Sequence, residues 1–323
     1  MTYRKLFIAL AVGASLVGNA VAQALPERPV RMVLAYAAGG SSDPAARGLA
    51  AGLSKRLGQN VYVENKPGGN TIIATQSVAS APADGTTLYI TYTTPYTMVP
   101  HLVKRLPYDP KKAMTPIAQI GELQYAFVVP ANSPYKTMKE LVEAAKASPG
   151  KLTFPSPGTA QIMGLASELF RIDAGIDVVH VPYTGSGQAA AALLAGHHDF
   201  FLADLGSINQ FASAGKVRLL SIVGEQRNPA YPDVPTLAES GCKNIVFPAG
   251  WFGVVAPPGM DPQLVKKLNA AIVEEMKTPE MAKIMQAMGL KTQTSTPEQL
   301  AAYVQQDDVT WGQLIRKLGL TLQ

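Results

Sequence analysis

The sequence contains a single cysteine, Cys242, among 323 residues. One cysteine excludes an internal disulfide bond, a cysteine-rich metal site and the CxxC motif of thiol oxidoreductases. Only 16% of the residues are charged, and the net charge of +5 is not gathered into a run of like charges. This pattern argues against nucleic acid as a partner. Hydrophobic residues make up 47% of the chain, so its length and composition predict a globular protein of two domains.

Motifs of common enzymes are missing as well. The GxSxG elbow of hydrolases is absent, because Thr184 stands where the glycine before Ser186 is required. Walker and GxGxxG patterns are also absent. His101 and His180 stand without a nearby nucleophile, and Cys242 has no basic neighbour that would activate its thiol. We therefore expect no catalytic residues and no cofactor.

One cluster resembles a metal site. His197, His198 and Asp199 are adjacent in sequence, but neighbouring side chains point to different sides of the chain, and zinc sites need wider spacings and further ligands. A solvated turn after Gly196 is the preferred interpretation. We expect no metal.

The first 22 residues have the pattern of a secretory signal peptide. Basic Arg4 and Lys5 precede an apolar run over residues 6–17, and small residues at 20–22 form a cleavage site. A membrane anchor is the alternative, but the run is shorter than the roughly 20 apolar residues that span a bilayer. We expect cleavage after Ala22 and export of the mature protein.

Short β-branched runs alternate with amphipathic segments, which is typical of an α/β fold with a largely parallel sheet. Strands are predicted at residues 31–36, 60–64, 87–91, 126–129, 152–154, 177–181, 200–203 and 251–256, and helices at 43–57, 139–147, 160–170, 188–194, 262–276 and 297–318. In the first helix Asp43 is interpreted as the N-cap, Pro44 suits the first turn and Gly58 ends the helix. Strand-to-proline segments at 125–130 and 247–253 indicate two crossings between domains.

Four loops carry glycines and hydroxyl groups, and each joins a strand end to a helix start, where open α/β sheets place ligands. They are residues 35–43, 64–71, 154–161 and 181–188. Glycine permits close backbone approach, and the free N–H groups at a helix start favour an anion. Lys66 is the sole cationic residue in these loops. The loops therefore favour a carboxylate held by neutral donors, although each loop alone is equally consistent with an ordinary turn.

Two aspartates in or near these loops have two interpretations each. Asp43 either caps the first helix or accepts a bond from a ligand or water, and capping is preferred. Asp204 either caps a short helix or faces a cleft. Four tyrosines lie near strand ends, where they either line a pocket or pack, and packing is preferred: Tyr36, Tyr92, Tyr96 and Tyr183.

The order of the motifs resembles a known family. Residues 27–69, 181–204, 215–241, 251–272 and 295–300 are similar to the Bug-type extracytoplasmic solute receptors of tripartite tricarboxylate transporters. The resemblance implies a type II periplasmic binding protein fold, in which a hinge joins two α/β lobes around a ligand cleft. Lobe 1 would comprise residues 23–125 and 247–323, and lobe 2 residues 126–246.

The resemblance also implies a function. Such a receptor captures a small organic carboxylate in the periplasm and delivers it to the large and small membrane subunits of a permease. The loops favour a dicarboxylate, with an aromatic carboxylate as the second choice. The alternative function is a ligand-loaded signal for a membrane sensor. We expect a monomer in either case.

The expected ligand contacts come from both lobes. The resemblance places first-lobe contacts on Ala38, Gly39, Gly40, Ser41, Ser42 and Asp43, and second-lobe contacts on Ser156, Gly158, Thr159, Ala160, Tyr183, Gly185 and Asp204. Tyr36, Asn70 and Gln161 complete the set from the loops themselves. The chain departs from the family pattern at residues 67–75, where a longer glycine-rich loop is usual, and at 158–164, where a glycine-serine pair and a downstream histidine are usual. Both departures concern the distal end of the ligand.

Overall fold

The computed structural model describes residues 27–36, 38–39, 42–159, 161–242 and 250–321. The strands are β1 (Val30–Leu34), β2 (Val61–Asn65), β3 (Thr87–Tyr92), β4 (Thr115–Leu123), β5 (Tyr125–Pro130), β6 (Thr153–Ser156), β7 (Val179–Pro182), β8 (Phe201–Asp204), β9 (Val217–Val223), β10 (Trp251–Ala256) and β11 (Leu290–Thr292). The helices are α1 (Asp43–Leu57), α2 (Ile72–Ala79), α3 (Thr94–Thr97), α4 (Val99–Leu102), α5 (Met138–Ala147), α6 (Ile162–Asp173), α7 (Ser186–Leu194), α8 (Leu205–Ser213), α9 (Pro262–Met276), α10 (Pro279–Ala287) and α11 (Pro297–Leu318). The predicted signal peptide lies outside the described residues.

The first helix shows how local sequence sets an element. Gly58 ends α1 in the left-handed conformation, at φ 69°, and its N–H bonds the Ser54 carbonyl as a C-cap glycine does. The prediction of Asp43 as the N-cap was wrong by one position. Ser42 is the N-cap residue, and Asp43 is the first residue of the helix. The Asp43 carboxylate binds other partners, so it does not cap the helix.

Lobe 1 is built on a six-stranded sheet in the order β11-β4-β10-β3-β1-β2. Strands β2, β1 and β3 are parallel, whereas β10 runs antiparallel to both β3 and β4. Strand β11 is antiparallel to β4 as well, so three of the five strand pairings contradict the prediction of a largely parallel sheet. The antiparallel part arises because β10 returns from the second lobe and enters between β3 and β4.

Lobe 2 contains a three-stranded sheet in the order β8-β5-β9 and the parallel pair β6-β7. Strand β5 is antiparallel to both of its neighbours. Aromatic rings fill the core beneath them, with the Phe127 and Phe170 centroids 4.6 Å apart and those of Phe154 and Phe200 5.5 Å apart. This packing fixes the strand ends that carry the lobe 2 loops.

The two lobes are linked at two crossings and by helix α11. One crossing follows β4 at Leu123, and the other precedes β10 at Trp251, with residues 243–249 outside the described part. Along α11, Leu300 and Val304 pack in a lobe 1 cluster, whereas Trp311 joins the lobe 2 core. The C-terminal helix therefore packs against both lobes. None of the helices that the structure describes is long and apolar enough to cross a membrane.

Candidate functional site

A cavity of about 880 Å³ lies between the two lobes. Its walls come from the loop before α1, the turn before α2, the loops before α6 and α7, and the first turn of α8. This volume is in the range of small-molecule sites. The cavity is therefore the candidate ligand site.

The structure brings most of the predicted contacts to this cavity. Its wall includes Tyr36, Gly39, Ser42, Asn70, Gly158, Thr159, Gln161, Tyr183, Gly185 and Asp204. Ala38 is exposed outside the wall, whereas Asp43 and Ser156 are buried behind it. Gly40, Ser41 and Ala160 lie outside the described residues. Direct contact with a ligand stays a prediction for each of these residues.

Sequence reasoning missed Tyr125, Gly206 and Met288 in the wall. Thr71 and Ser186 also line it and lie in two of the predicted loops, and Tyr92 is one of the tyrosines at strand ends. Gly206 and Met288 come from different lobes and meet across the cleft. No local motif marks such a meeting. The position of Ser186 at the start of a helix was a usable signal, because the first residues of helices in this fold face the cleft.

Asp43 holds the first loop in place. Its Oδ2 atom accepts bonds from Gly39 N at 3.2 Å and Arg47 Nε at 2.8 Å, and its Oδ1 atom accepts from Asn65 Nδ2 at 3.1 Å. Asn65 Nδ2 also donates to the Tyr36 carbonyl at 2.9 Å. Burial acts to raise the pKa of Asp43, but the bonds from Arg47, Asn65 and Gly39 outweigh it and hold that pKa below its usual value. Asp43 therefore supports the loop from behind.

Four helices of the cavity wall begin without a side-chain cap. They are α1 at Ser42 and α2 at Thr71 in lobe 1, and α6 at Gln161 and α7 at Gly185 in lobe 2. Side chains cap α5, α9, α10 and α11 away from the cavity, at Thr137, Asp261, Thr278 and Thr296. Asp204 caps α8 in the cavity wall, and the short helices α3 and α4 have no side-chain cap. An uncapped first turn keeps free N–H groups and a partial positive charge. Both walls of the cavity can therefore receive an anion.

Fixed charge in the described part of the wall is confined to one carboxyl group. No lysine, arginine or histidine lines the cavity there, and Asp204 is the acidic residue. Asp204 caps α8, because its Oδ1 atom accepts from Ser207 N at 2.9 Å. Its Oδ2 atom is buried without a hydrogen-bond partner. Burial raises the pKa of Asp204, while the Ser186 hydroxyl and the bond from Ser207 act in the opposite direction.

Two histidines lie behind the lobe 2 loops. His180 Nε2 is 2.6 Å from Ser156 Oγ, so the interpretation of His180 as isolated was wrong. His198 Nε2 is 2.8 Å from the Tyr183 hydroxyl, and His198 Nδ1 is 3.0 Å from Thr153 Oγ1. A solvated turn is therefore wrong for His198, which is 7% exposed. His197 is exposed.

The described residues contain no group of three histidine, cysteine, aspartate or glutamate side chains placed to hold a metal ion. The histidines instead bond hydroxyl groups.

A model of the tripartite tricarboxylate transporter family receptor matches residues 45–320. The chain belongs to this receptor family. A protein of the gbd 5′ region of Cupriavidus necator is 37% identical over 311 residues, covering 95% of this chain and 92% of that protein. BugT of Bordetella pertussis is 30% identical over 303 residues, covering 94% of this chain and 93% of BugT.

Solved structures share the fold of this receptor. The periplasmic binding protein BugD has a TM-score of 0.81 and 30% identity, covering 92% of this chain and 100% of BugD. MatC from Rhodopseudomonas palustris with bound malate has a TM-score of 0.79 and 28% identity, covering 90% of this chain and 99% of MatC. An R. palustris protein with adipate has a TM-score of 0.83 and 27% identity, covering 92% and 99%.

These similarities confirm the predicted Bug-type family and the type II periplasmic binding protein fold. The family and fold are those of solute-binding receptors rather than enzymes. A periplasmic location follows from the family.

Proposed function

We propose that this receptor binds a small dicarboxylate between its lobes and delivers it to the large and small subunits of a membrane permease. The observation that carries the proposal is the set of uncapped helix starts on both sides of the cavity. Each lobe directs two helix starts without a side-chain cap at the cavity, and the described part of its wall holds no lysine, arginine or histidine. Two anionic groups at opposite ends of one ligand match this arrangement.

The part of the cavity wall between the two anion-binding ends also fits a dicarboxylate. The Tyr36 and Tyr92 rings meet edge to face, with centroids 5.4 Å apart, and Tyr125 lines the same cavity. These rings offer an apolar surface for the carbon spacer of the ligand. The malate and adipate bound by the two R. palustris proteins are also dicarboxylates.

The proposal includes the finer features expected from the sequence. The mature receptor begins after Ala22, acts as a monomer and divides into lobe 1 (23–125 and 247–323) and lobe 2 (126–246). A role as a ligand-loaded signal for a membrane sensor uses the same binding site, so the first test concerns the ligand.

That test is a thermal-shift and calorimetry screen of residues 23–323. The probes are succinate, malate, adipate, citrate, benzoate and terephthalate, with glucose as the neutral control. Binding to the native state stabilises it by RT ln(1 + [L]/Kd), so micromolar ligands are visible at millimolar concentration. We expect a dicarboxylate to raise the Tm and its monoamide to lose most of the effect. A response to glucose alone would overturn the proposal, and a preference for benzoate would favour the aromatic alternative.

A further inference from the structure

Three polar side chains form a partly buried hydrogen-bonded chain beneath the loop between β6 and α6. Glu168 Oε1 lies 3.4 Å from His180 Nδ1, and His180 Nε2 lies 2.6 Å from Ser156 Oγ. Ser156 Oγ in turn accepts a bond from Gly158 N at 3.2 Å. The chain therefore ends on the backbone of a cavity-lining loop.

The parallel pairing of β6 and β7 creates this contact. Phe154 is registered opposite His180, and their rings stack with centroids 4.7 Å apart. Ser156 lies two residues further along β6, so its side chain points to the same face as that of Phe154. The stacked ring holds the imidazole in the plane that reaches Ser156.

For a neutral His180 imidazole, the partners set the direction of each bond. The pKa of Glu168 is lowered by its hydrogen bond from His180 and by Arg171, so its carboxylate is charged and accepts the Nδ1 proton. His180 Nε2 is then the acceptor for the Ser156 hydroxyl proton. With its proton directed at His180, the Ser156 oxygen presents a lone pair to Gly158 N–H.

Serine, histidine and glutamate in this order also make up hydrolytic triads, but the setting differs here. Ser156 is fully buried behind the cavity wall, and its oxygen already bonds His180 and Gly158. A nucleophile must reach its substrate. The arrangement fits a positioning role.

The loop between β6 and α6 also packs closely against the first turns of α6. A Cβ atom at Gly164 would lie 2.4 Å from the Gly158 carbonyl oxygen, so the first turns of α6 accept the loop only because residue 164 is glycine. Gly158 itself has φ 144°, which disfavours other residues. Together with Thr159 and Gln161 it lines the cavity directly before the uncapped start of α6.

We propose that His180 is a positioning residue for ligand binding. It orients the Ser156 hydroxyl, which holds Gly158 and Thr159 in the conformation that presents the start of α6 to the ligand. The inference rests on the proposed function, since it assigns this loop to the dicarboxylate site.

The test uses His180→Ala, Ser156→Ala, their double variant and His180→Gln, whose amide oxygen can accept the Ser156 proton. His101→Gln is the matched control, because His101 also bonds a neighbouring side chain, Asp308 at 2.7 Å, but lies outside the cavity wall. Affinities are measured calorimetrically for succinate, malate and adipate. Hydrogen exchange of a peptide covering residues 157–161 is measured in the ligand-free receptor.

We expect each single alanine variant to weaken binding about tenfold, as for one lost hydrogen bond. The double variant should be no weaker than the singles, and His180→Gln should restore part of the affinity. Exchange in the loop should be faster in both alanine variants and unchanged in His101→Gln. Unchanged exchange in the alanine variants would overturn the positioning role. If wild type binds none of the probes, the dicarboxylate proposal fails, and the exchange result still decides whether His180 orders the loop.

Discussion

A Cβ atom placed on Gly206 would lie only 2.3 Å from the carbonyl oxygen of Met288. Gly206 lies in the first turn of α8 in lobe 2, and Met288 follows α10 in lobe 1. The two lobes therefore touch backbone to backbone at the edge of the ligand cavity. Gly289 continues the contact, because a Cβ there would lie 2.5 Å from Gly206 N. Any side chain at residue 206 would push the two backbones apart in this arrangement.

Gly206→Ala should weaken ligand binding by tenfold or more without unfolding either lobe. The backbone at Gly206 is outside the left-handed region, so alanine adds a methyl group but no backbone strain. The methyl group opposes closure, and closure of two lobes around a ligand is how such hinged domains complete their sites. Small-angle scattering should show less compaction on ligand addition than in the wild type. Ser213→Ala, at the exposed end of the same helix, is the control, and a fully compacting Gly206→Ala would refute the interpretation.

Asp204→Asn should raise the Tm at pH 8. Burial raises the folded-state pKa of Asp204 above its unfolded value, so charging this group costs stability as pH rises through the folded pKa. Asparagine has the same shape, still caps α8 and carries no charge. The gain should shrink as the pH is lowered and wild-type Asp204 takes up its proton. A variant that is less stable than wild type at pH 8 would show that the carboxylate charge is compensated.

Asp43→Asn should lower the Tm, in contrast to Asp204→Asn. The pKa of Asp43 is lowered, so its charge stabilises the folded state above the unfolded pKa, and this stability is lost as the pH falls through the folded pKa. Arg47 is half exposed, so solvent screening keeps the loss of stability small. We expect a Tm lower by about 1–2 °C at pH 7. Thermal scans from pH 7 to pH 3 should show the two curves converging.

Much of the fold could be predicted because element boundaries carry strong local signals. Helices α9 and α11 occupy the predicted residues, since Asp261 with Pro262 and Thr296 with Pro297 form an N-cap followed by a first-turn proline. Strand β4 was missed. Gln119 and Gly121 interrupt its apolar pattern, and the strand exists because β10 and β11 pair with it on either side.

The site was predictable in its location but not in its bonds. Glycines and helix starts identify the wall, because they are local features of the sequence. The contact of His180 with Ser156 depends on the register of β6 and β7, and that of Gly206 with Met288 depends on how the lobes meet. Neither contact can be predicted from the local sequence around the residues that make it.

The stability of the receptor should also respond to Asp307 near neutral pH. Asp307 lies on α11, is 2% exposed and has an Oδ2 atom without a hydrogen-bond partner. Burial raises its pKa to about 7, against a smaller opposite effect of the Thr93 hydroxyl. The folded state therefore takes up a proton as the pH falls through 7, and the contribution of this group is most favourable at lower pH. Asp307→Asn should raise the Tm at pH 8. It should also reduce the difference in Tm between pH 8 and pH 6. An unchanged pH profile would show that Asp307 does not titrate in this interval.

Tyr183→Phe tests whether the Tyr183 hydroxyl serves the ligand or the protein. The hydroxyl lies 2.8 Å from His198 Nε2, while the residue lines the cavity. Burial lowers the pKa of His198, and the neighbouring His197 adds to this. His198 is therefore neutral at pH 7, and its contribution to stability falls as the pH drops below its unfolded pKa.

Phenylalanine keeps the ring in the wall but leaves His198 Nε2 without its partner. A lost buried hydrogen bond costs about 1–3 kcal/mol, so the Tm should fall while the affinity for the wild-type ligand changes less than threefold. Tyr183→Leu, which removes the ring as well, should lower both the Tm and the affinity. If Tyr183→Phe loses affinity tenfold at an unchanged Tm, the hydroxyl bonds the ligand directly, and its contact with His198 serves to aim it into the cavity.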